Sequence, residues 1–568
     1  MVINADIHRN TSDFDVLIVG AGPTGLTLAI ELARRGISYR IIDKAPHPSK
    51  YSKALGVMAR TLELLHQAEV ADTLIAQGHQ VTGMQASSYN KVLAQVNFTS
   101  LIQSPYPYVL MVPQNITEQV LIDRLTSLGG TVERQVQLTA LQQLDQPQQY
   151  VQAIIQHTDK SAQSEEKILA RWVVGCDGAH STVRHLSDIA FEGEVLAQSF
   201  ALADVQIDWK QDHNKLYVYL NKGYLTALFP MLNHRHRVII GMPPDHAVTS
   251  SASDQSIELA DIQAVLDICL PIKVTISDPI WLAKFAVHQR KVKFYRTGRI
   301  FLAGDAAHIH SPIGGQGMNT GIQDAFNLGW KLALVCQGYA SDTILDSYHA
   351  EREPIGRQLL RGTSLFTRLA TTRYSVPIAI RNTVAPLLSS RKVIQKRLFS
   401  LISETGLSYP HSPIVQQGKG WQRPMLHAGE RAPDGGYGQS SRHTLLLFTG
   451  EHPVVASPKP PTLEDEIEEP DHRSLLTQVA VKWKDIINIH ILLPDQPLMT
   501  PLPLPTHIHI DPDNNLHQQY GMGKGGYVLI RPDGYISYIG SLTDEMDLIG
   551  WVHRSFQIPA RPSSPIQL

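Results

Sequence analysis

A glycine-rich turn near the start of the chain constrains its fold more than any other stretch. The apolar run Phe14–Val19 is followed by GAGPTG at 20–25 and then by the amphipathic stretch Leu26–Arg35. A second apolar run, Tyr39–Ile42, ends at an acid, Asp43. Nearly continuous apolar runs are typical of parallel strands that are covered on both faces. The order strand, glycine turn, helix and strand therefore predicts a Rossmann-type α/β domain.

The glycines of this turn have separate tasks in a dinucleotide-binding unit. Gly20 allows the tight turn, Gly22 lets the backbone approach a pyrophosphate, and Gly25 lets the helix pack on the strand. Asp43, which follows by about twenty residues, is placed to bind ribose hydroxyls. Lys44 either lies in solvent or faces a phosphate or an adenosine. The stretch therefore predicts a dinucleotide site.

A second strand-and-turn unit occupies Gly298–Gly329. Its apolar run, Ile300–Ala303, ends at Gly304 and Asp305. A helix begins near Asn319, after a loop that contains Pro312, Gly314, Gly315 and Gly317. An acid at the carboxyl end of a strand can bind ribose or ribityl hydroxyls, and the start of a helix attracts negative charge. We expect this stretch to form part of the same cofactor site.

A third unit of this kind has no dinucleotide fingerprint of its own. The run Ala170–Val174 predicts a strand, which ends in GCDGAHS at 175–181 and precedes a helix containing Arg184. Asp177 and Gly178 repeat the pairing of an acid with a glycine at a strand end. The chain therefore carries one full GxGxxG fingerprint and not two.

Two polar side chains near the predicted site each have two possible roles. Lys53 lies in a turn that leads into a helix, and it either points back at the cofactor or is a surface lysine. Gln114 lies where the strand that begins at Val109 passes into a helix. It is either a neighbour of the helix cap or a ligand of cofactor hydroxyls.

Composition excludes several classes of function. The 568 residues, 43% of them hydrophobic, suffice for roughly two to four folded units. A net charge of −2 gives no field that recruits nucleic acid or an acidic membrane. No apolar run approaches the ~18–20 residues that span a bilayer, and residues 1–12 do not resemble a signal peptide. The three cysteines are scattered without a CxxC pair, so we expect a cytoplasmic protein.

Three motifs taken together resemble a known family. They are VGAGPTG at 19–25, GCDGAHSTVR at 175–184, and the long stretch at 298–333 that begins GRIFLAGDAAH. In series they resemble the single-component FAD-dependent aromatic hydroxylases, the group A flavoprotein monooxygenases typified by p-hydroxybenzoate hydroxylase. The segments AGERAPDG and RPDGY make the chain more similar to the phenol hydroxylase and polyketide hydroxylase branch.

The resemblance implies an α/β fold, α+β overall, with several domains. A Rossmann-type FAD-binding domain would contain an inserted antiparallel β-sheet that binds the substrate, followed by a helical segment and a thioredoxin-like C-terminal domain. The predicted boundaries are a disordered N-terminus at 1–12, an FAD-binding domain at 13–190 and 285–405, a substrate-binding sheet at 191–284, a linker at 406–440, and the thioredoxin-like domain at 441–568. The Pro-rich, acidic stretch 454–472 is expected to be a disordered insertion.

The resemblance also implies which residues bind FAD. The pyrophosphate would lie on Gly20, Gly22 and Gly25, with Asp43 on the adenosine ribose. Lys53 stands where the family usually has arginine, and this loses bidentate reach. The other matched positions are Gln114 near the ribityl chain, Asp177 and Gly178 in the motif that serves both FAD and the nicotinamide cofactor, Gly304 and Asp305 at the ribityl chain, Gly315, Gly317, Met318 and Asn319 at the pyrimidine edge of the flavin, and Pro312 beside the site of oxygen transfer.

The implied reaction is the hydroxylation of an aromatic substrate, phenolic or polyketide-like. NAD(P)H would reduce FAD, and O₂ would form a flavin hydroperoxide whose distal oxygen passes to the ring. A nicotinamide cofactor that binds only transiently fits the single GxGxxG fingerprint. The partners are then the small aromatic molecule and O₂, with no nucleic acid and no membrane span, and a homodimer remains open.

The substrate side of the site is less specific. The predicted sheet carries polar residues that either pack within the protein, lie at its surface or face a substrate: His213, Tyr217, Tyr219, Tyr224, His234, His236 and Arg237. Arg237 is the preferred candidate because a fixed cation could hold a phenolate. His308 is expected to pack against its turn, and no metal-binding pattern is present. Two alternatives stay open: an FAD-dependent reductase or halogenase of the same fold, and a flavin-binding interaction protein with only NAD(P)H oxidase activity.

Overall fold

A computed structural model describes most of the chain. The described residues are 13–49, 52, 54–144, 150–158, 164–243, 257–309, 315–370, 383, 391–421, 426–433, 440–450, 479, 481–494 and 507–557. The predicted disordered segments 1–12 and 454–472, together with Lys53 and Pro312, lie outside them. Contacts divide the chain into a first unit, 1–329 and 352–406, and a second unit, 330–351 and 407–568. Among the described helices, none is long and apolar enough to cross a membrane.

The strands and helices follow the predicted order closely. The described strands are β1 (Phe14–Val19), β2 (Tyr39–Asp43), β3 (Gly56–Val57), β4 (His79–Val81), β5 (Gly83–Ser88), β6 (Lys91–Asn97), β7 (Val109–Met111), β8 (Val132–Arg134), β9 (Val136–Leu144), β10 (Tyr150–His157), β11 (Ser164–Gly175), β12 (Phe191–Asp208), β13 (Lys215–Asn221), β14 (Tyr224–Pro230), β15 (Arg235–Gly241), β16 (Thr275–Val292), β17 (Arg296–Thr297), β18 (Ile300–Leu302), β19 (His308–Ile309), β20 (Gln416–Gln417), β21 (His443–Phe448), β22 (Ile487–Leu493), β23 (His507–Ile510), β24 (Gly526–Ile530) and β25 (Ile536–Gly540). The described helices are α1 (Pro23–Ala33), α2 (Ala59–Gln67), α3 (Ala71–Ala76), α4 (Gln114–Ser127), α5 (Thr182–Leu186), α6 (Leu259–Cys269), α7 (Gly317–Cys336), α8 (Asp346–Ala370), α9 (Lys392–Ile402), α10 (Asn515–Tyr520) and α11 (Glu545–Ser555).

A mixed sheet with a parallel core forms the centre of the first unit. Its order is β17-β18-β11-β1-β2-β8, and the strands from β18 to β8 are parallel. The strands β17, β10 and β9 join it by antiparallel pairing. Leu17 and Ile18 of β1 are fully buried, as expected for a strand covered on both faces. Since β1, β11 and β18 run side by side in the same direction, the three motif turns that follow them lie at one edge of the sheet. This confirms the predicted Rossmann-type fold.

A second, largely antiparallel sheet also belongs to the first unit. Its order is β19-β16-β12-β15-β14-β13-β5-β6. The hairpin β5–β6, at 83–97, joins this sheet through a parallel pairing of β5 with β13, so the sheet extends beyond the predicted insert at 191–284. Helix α6 packs on one of its faces, against Val238 and Ile240 among others.

The opposite face of this sheet is turned toward the segment before α2. Leu216 and Phe229 of the sheet pack in one cluster with Leu55 and Met58. Side chains alternate between the faces of a strand, and paired neighbours share a face. Phe229 pairs with Arg237 across β14 and β15, so Arg237 belongs to this second face.

The second unit contains the predicted C-terminal sheet. Its order is β20-β25-β24-β21-β22-β23, with β21 parallel to β22 and antiparallel to β24. The core of four strands, β25-β24-β21-β22, followed by α11, has the strand order of a thioredoxin fold. The strands are apolar because they are covered: β24 and β25 are buried at every position.

Buried charges join three segments of the second unit. Glu351 accepts hydrogen bonds from Lys331 Nζ at 2.7 Å and from Arg531 Nη1 at 2.6 Å, and the side chains of all three are fully buried. Arg531 also donates from Nε to Asp533 at 2.9 Å. Burial opposes the ionisation of Glu351, but the two cations hold its pKa well below its usual range. The turn between β24 and β25 is therefore anchored to the parts of α7 and α8 that belong to this unit.

Arg531→Met should lower the free energy of unfolding of the second unit by about 3–5 kcal/mol, because it leaves buried carboxylates without their cation. Equilibrium urea unfolding, followed by hydrogen exchange of the β21 and β24 amides, measures this change. Arg554→Met is the matched control, since Arg554 bonds Gln416 at an exposed position. Equal stability of the two variants would contradict the prediction.

Candidate functional site

The turn between β1 and α1 leaves no room for a Cβ at its first and last glycines, but it does at the middle one. Gly20 has φ +103°, and a Cβ there would lie 2.5 Å from the carbonyl oxygen of Cys176. A Cβ on Gly25 would lie 1.9 Å from the carbonyl oxygen of Gly20, whereas one on Gly22 would meet nothing within 4 Å. Helix α1 begins with Pro23, has no side-chain cap, and has no acid in its first turn. The open side of Gly22 at this helix start fits a bound pyrophosphate.

Asp43 closes β2 beside this turn. Its Oδ2 accepts a hydrogen bond from the N–H of Ala21 at 2.7 Å, and its Oδ1 accepts one from Ala45 at 2.7 Å. Each carboxylate oxygen has a further lone pair, so Asp43 can hold the turn and still accept from a ribose hydroxyl. Lys44 is exposed, and whether it faces a phosphate, an adenosine or solvent stays a prediction.

Asp177 follows β11 at the same edge of the sheet. Its Oδ2 accepts hydrogen bonds from the N–H groups of Thr182 at 2.6 Å and Val183 at 3.1 Å, which caps α5. Its Oδ1 is buried and has no partner among the described residues, and burial raises the pKa of the carboxyl group. Gly178 has φ +78° and open space where a Cβ would lie. An oxygen without a partner beside such a glycine fits a ligand that carries hydroxyl groups.

Asp305 is the exposed residue of a 3₁₀ turn, Gly304–Ala306, whose other two residues are buried. Within the described residues, its carboxylate forms no hydrogen bond or ion pair. Gly304 has φ +59°, and a Cβ there would lie 2.6 Å from Thr24 Oγ1, so the turn packs against the start of α1. The structure therefore places an available carboxylate next to the glycine turn of β1.

Asn319 acts through its side chain within the protein. It is fully buried, and its Oδ1 accepts from the N–H of Met58 at 2.8 Å. Its Nδ2 donates to the carbonyl oxygens of Gly56 and Gly315, each at 2.9 Å. The amide thus joins β3 to the glycine loop. The backbone N–H groups at the start of α7, where Gly317 and Met318 lie, could still donate hydrogen bonds to a flavin. The first turn of this helix carries no acid.

Gln114 also bonds within the protein. Its Oε1 accepts from the N–H of Ala54 at 3.0 Å, and its Nε2 donates to Glu118 at 2.8 Å. Ser52 Oγ lies 2.8 Å from the backbone nitrogen of Gln114, which donates to it. Gln114 therefore bonds to Ser52 and Ala54, and its role as a cofactor ligand stays a prediction.

Arg237 is a fixed cation, but a carboxylate holds it. It is buried, and its Nε and Nη2 donate to the two carboxylate oxygens of Asp204, both at 2.8 Å. The face of Trp281 lies 5.5 Å from the guanidinium carbon. Because the bidentate pair neutralises the charge, a phenolate would have to compete with Asp204. Sequence reasoning missed Asp204, which becomes its neighbour only through the pairing of β12 with β15.

Tyr217 and Tyr219 lie on the face of the sheet that packs on α6, opposite to the face of Arg237. Both are buried in the cluster that includes α6, in agreement with the packing alternative. His236 lies on that face too, and burial together with His213 lowers its pKa to about 3. His213 bonds the carbonyl oxygen of Met231 at 2.9 Å. These residues are explained by packing.

Two buried carboxyl groups near the glycine loop were not identified from the sequence. Asp324 on α7 is fully buried and bonds His308 Nε2 at 2.9 Å, so His308 packs at its turn as predicted. Glu404 accepts hydrogen bonds from Gln323 and Thr320, and burial raises its pKa to about 8. The only available signal was an acid inside an otherwise apolar stretch of α7, and no pattern pointed to Glu404.

Comparisons with known proteins agree with this geometry. A family profile described as "FAD binding domain" matches residues 13–363. The chain is 34% identical to 6-methylpretetramide 4-monooxygenase of Streptomyces rimosus over 544 residues. This alignment covers 92% of this chain and 90% of that protein. It is 31% identical to pentachlorophenol 4-monooxygenase of Sphingobium chlorophenolicum, over 95% of this chain and 96% of that protein.

A solved structure gives the same result. The chain superposes on an anhydrotetracycline hydroxylase from Streptomyces rimosus with a TM-score of 0.70 and 28% identity, covering 96% of this chain and all of that one. The predicted resemblance, fold class and FAD cofactor are thereby confirmed. The chain belongs to the family of FAD-binding flavoprotein monooxygenases.

Proposed function

We propose that this protein is an FAD-dependent monooxygenase that hydroxylates an aromatic ring of a phenolic or polyketide-like substrate, with NAD(P)H and O₂. The observation that carries the proposal is the available carboxylate of Asp305, in a turn that packs next to the glycine turn between β1 and α1. The names of the relatives, which include a pretetramide and a pentachlorophenol monooxygenase, support an aromatic substrate.

The residues at the carboxyl edge of the parallel sheet divide the binding of FAD among them. The N–H groups at the start of α1, beside Gly22, would hold the pyrophosphate, with Asp43 at the ribose. Asp305 would accept from the ribityl hydroxyls, and the start of α7 would donate N–H groups to the ring edge. Bound FAD would supply the transfer of electrons from NAD(P)H and the activation of O₂.

The second sheet supports a dry substrate pocket. The face that includes Arg237 also carries an apolar cluster formed by Phe200, Leu220 and Leu225, with Phe285 packed against it. This face is the one that contacts Met58, which is bonded to Asn319 at the glycine loop. Apolar walls at this position would exclude water from the reacting ring. The Arg237–Asp204 pair then belongs to the wall of the pocket and would orient a polar substituent.

Asp305→Ala should raise the dissociation constant of FAD by about ten- to hundredfold, because hydrogen bonds to a charged group are lost. Flavin fluorescence during reconstitution of the deflavinated full chain measures this constant. Asp72→Ala is the control, since that carboxylate lies on α3 and is 88% exposed. A dissociation constant equal to that of the wild-type chain would contradict the assignment of Asp305.

Oxidation of NADH and NADPH by the purified holoenzyme should accelerate several-fold when a suitable ring is added from a panel of phenols and polycyclic phenolic polyketides. The product should gain one oxygen atom from ¹⁸O₂, as determined by mass spectrometry. The reason is that only a coupled reaction uses the substrate ring as oxygen acceptor. Oxidation that no ring alters, with hydrogen peroxide as sole product, would favour the interaction protein with oxidase activity.

A further inference from the structure

Asp324 contacts both ends of the segment that carries Asp305. Its Oδ2 accepts from the N–H of Gly304 at 3.0 Å and from His308 Nε2 at 2.9 Å. Gly304 precedes Asp305 directly, and His308 begins β19 just after the turn. A single carboxylate oxygen on α7 thus fixes the start and the end of this short segment.

The carboxylate is itself held in place by a buried cation. Arg352 on α8 donates from Nε to Asp324 Oδ1 at 2.6 Å and from Nη2 to the carbonyl oxygen of Thr320 at 3.2 Å. Burial alone raises the pKa of Asp324, but Arg352 and His308 lower it overall, so the group is a carboxylate. Three donors therefore converge on Asp324, and an amide could not accept from all of them.

The turn has little freedom on its other side. Gly304 adopts φ +59° and leaves no space for a Cβ against Thr24, while its carbonyl oxygen accepts from the N–H of Ala307 at 2.8 Å. Arg184 Nη1 donates to the carbonyl oxygen of Ala306 at 3.0 Å, so the far end of the turn is held as well. The N–H of Gly304 anchors the near end, directly before Asp305, and Asp324 holds it. A shift of this peptide would move the adjacent Asp305 carboxylate.

We propose that Asp324 is a positioning residue that holds the Gly304–Asp305 turn in the geometry that binds the flavin, acting through the N–H of Gly304 and the ring of His308. The inference rests on the proposed role of Asp305 as an FAD ligand. It assigns to α7 a second task, since the helix presents its N-terminus to the cofactor and also fixes the strand end beside it.

A double-mutant cycle tests the inference. Asp324→Asn keeps the shape of the side chain and replaces one acceptor with a donor, so it should weaken FAD binding by about tenfold or more. In an Asp305→Asn background the same change should cost less than about twofold, because the two residues act as one unit. The dissociation constant of FAD is measured by fluorescence on the deflavinated full chain, and the melting temperature is measured in parallel.

Glu351→Gln is the matched control. Glu351 is also a fully buried carboxylate, directly before Arg352, but it bonds Lys331 and Arg531 in the second unit. This variant should lower the melting temperature and leave FAD affinity unchanged. Should Asp324→Asn fail to fold, His308→Phe keeps the ring that lies near Tyr295 and removes the N–H donor, and it should weaken FAD binding several-fold.

Two results would overturn the inference while the wild-type chain still binds FAD. One is an unchanged dissociation constant of FAD in folded Asp324→Asn or His308→Phe. The other is an equal change of that constant when Asp324→Asn is made in the wild-type chain and in the Asp305→Asn background. A wild-type chain that cannot be reconstituted with FAD would instead overturn the proposed function and this inference with it. The two failures are therefore distinguishable.

Discussion

The close packing of the glycine turns at the edge of the parallel strands is the constraint on which the site depends. A Cβ on Gly20 would lie 2.5 Å from the carbonyl oxygen of Cys176, and one on Gly304 would lie 2.6 Å from Thr24 Oγ1. The turns after β1, β11 and β18 can share one small region only because these positions carry no side chain. Asp43, Asp177 and Asp305, which come from distant parts of the sequence, therefore lie where a single cofactor could contact all three.

Features that depend on a local sequence pattern were predicted well. The glycine turn and the acids at strand ends follow from the spacing of residues, and β1, α1 and β2 are present as predicted. Helix α1 begins at Pro23, earlier than expected, because proline fits the first turn of a helix. Pairing between distant segments is not visible in this way. The parallel pairing of β5 with β13 joins residues far apart in the chain, and no alternation within 83–97 indicates it.

The same limit applies to side chains in the site. Asp204 neutralises Arg237 through cross-strand register, and Asn319 joins Met58 to Gly315 through contacts that no motif records. The sequence singled out Arg237 and Asn319, but it did not show their partners, because those contacts form only in the tertiary structure. Asp305 and Asp177 could be proposed as cofactor ligands from the sequence, since they stand in motifs that recur for a chemical reason, and their roles stay predictions.

Buried carboxyl groups near the site differ in protonation because they differ in partners. Asp324 has a guanidinium and an imidazole N–H within hydrogen-bond distance, and its pKa is lowered. Glu404 has mainly amide and hydroxyl partners, and burial raises its pKa to about 8. The carboxylate that holds the turn of Asp305 is thus charged, and the carboxyl group beside the first turns of α7 is largely neutral at pH 7. A neutral Glu404 adds no negative charge beside the first turns of α7, where, under the proposed function, N–H groups would stabilise negative charge on a reduced flavin ring.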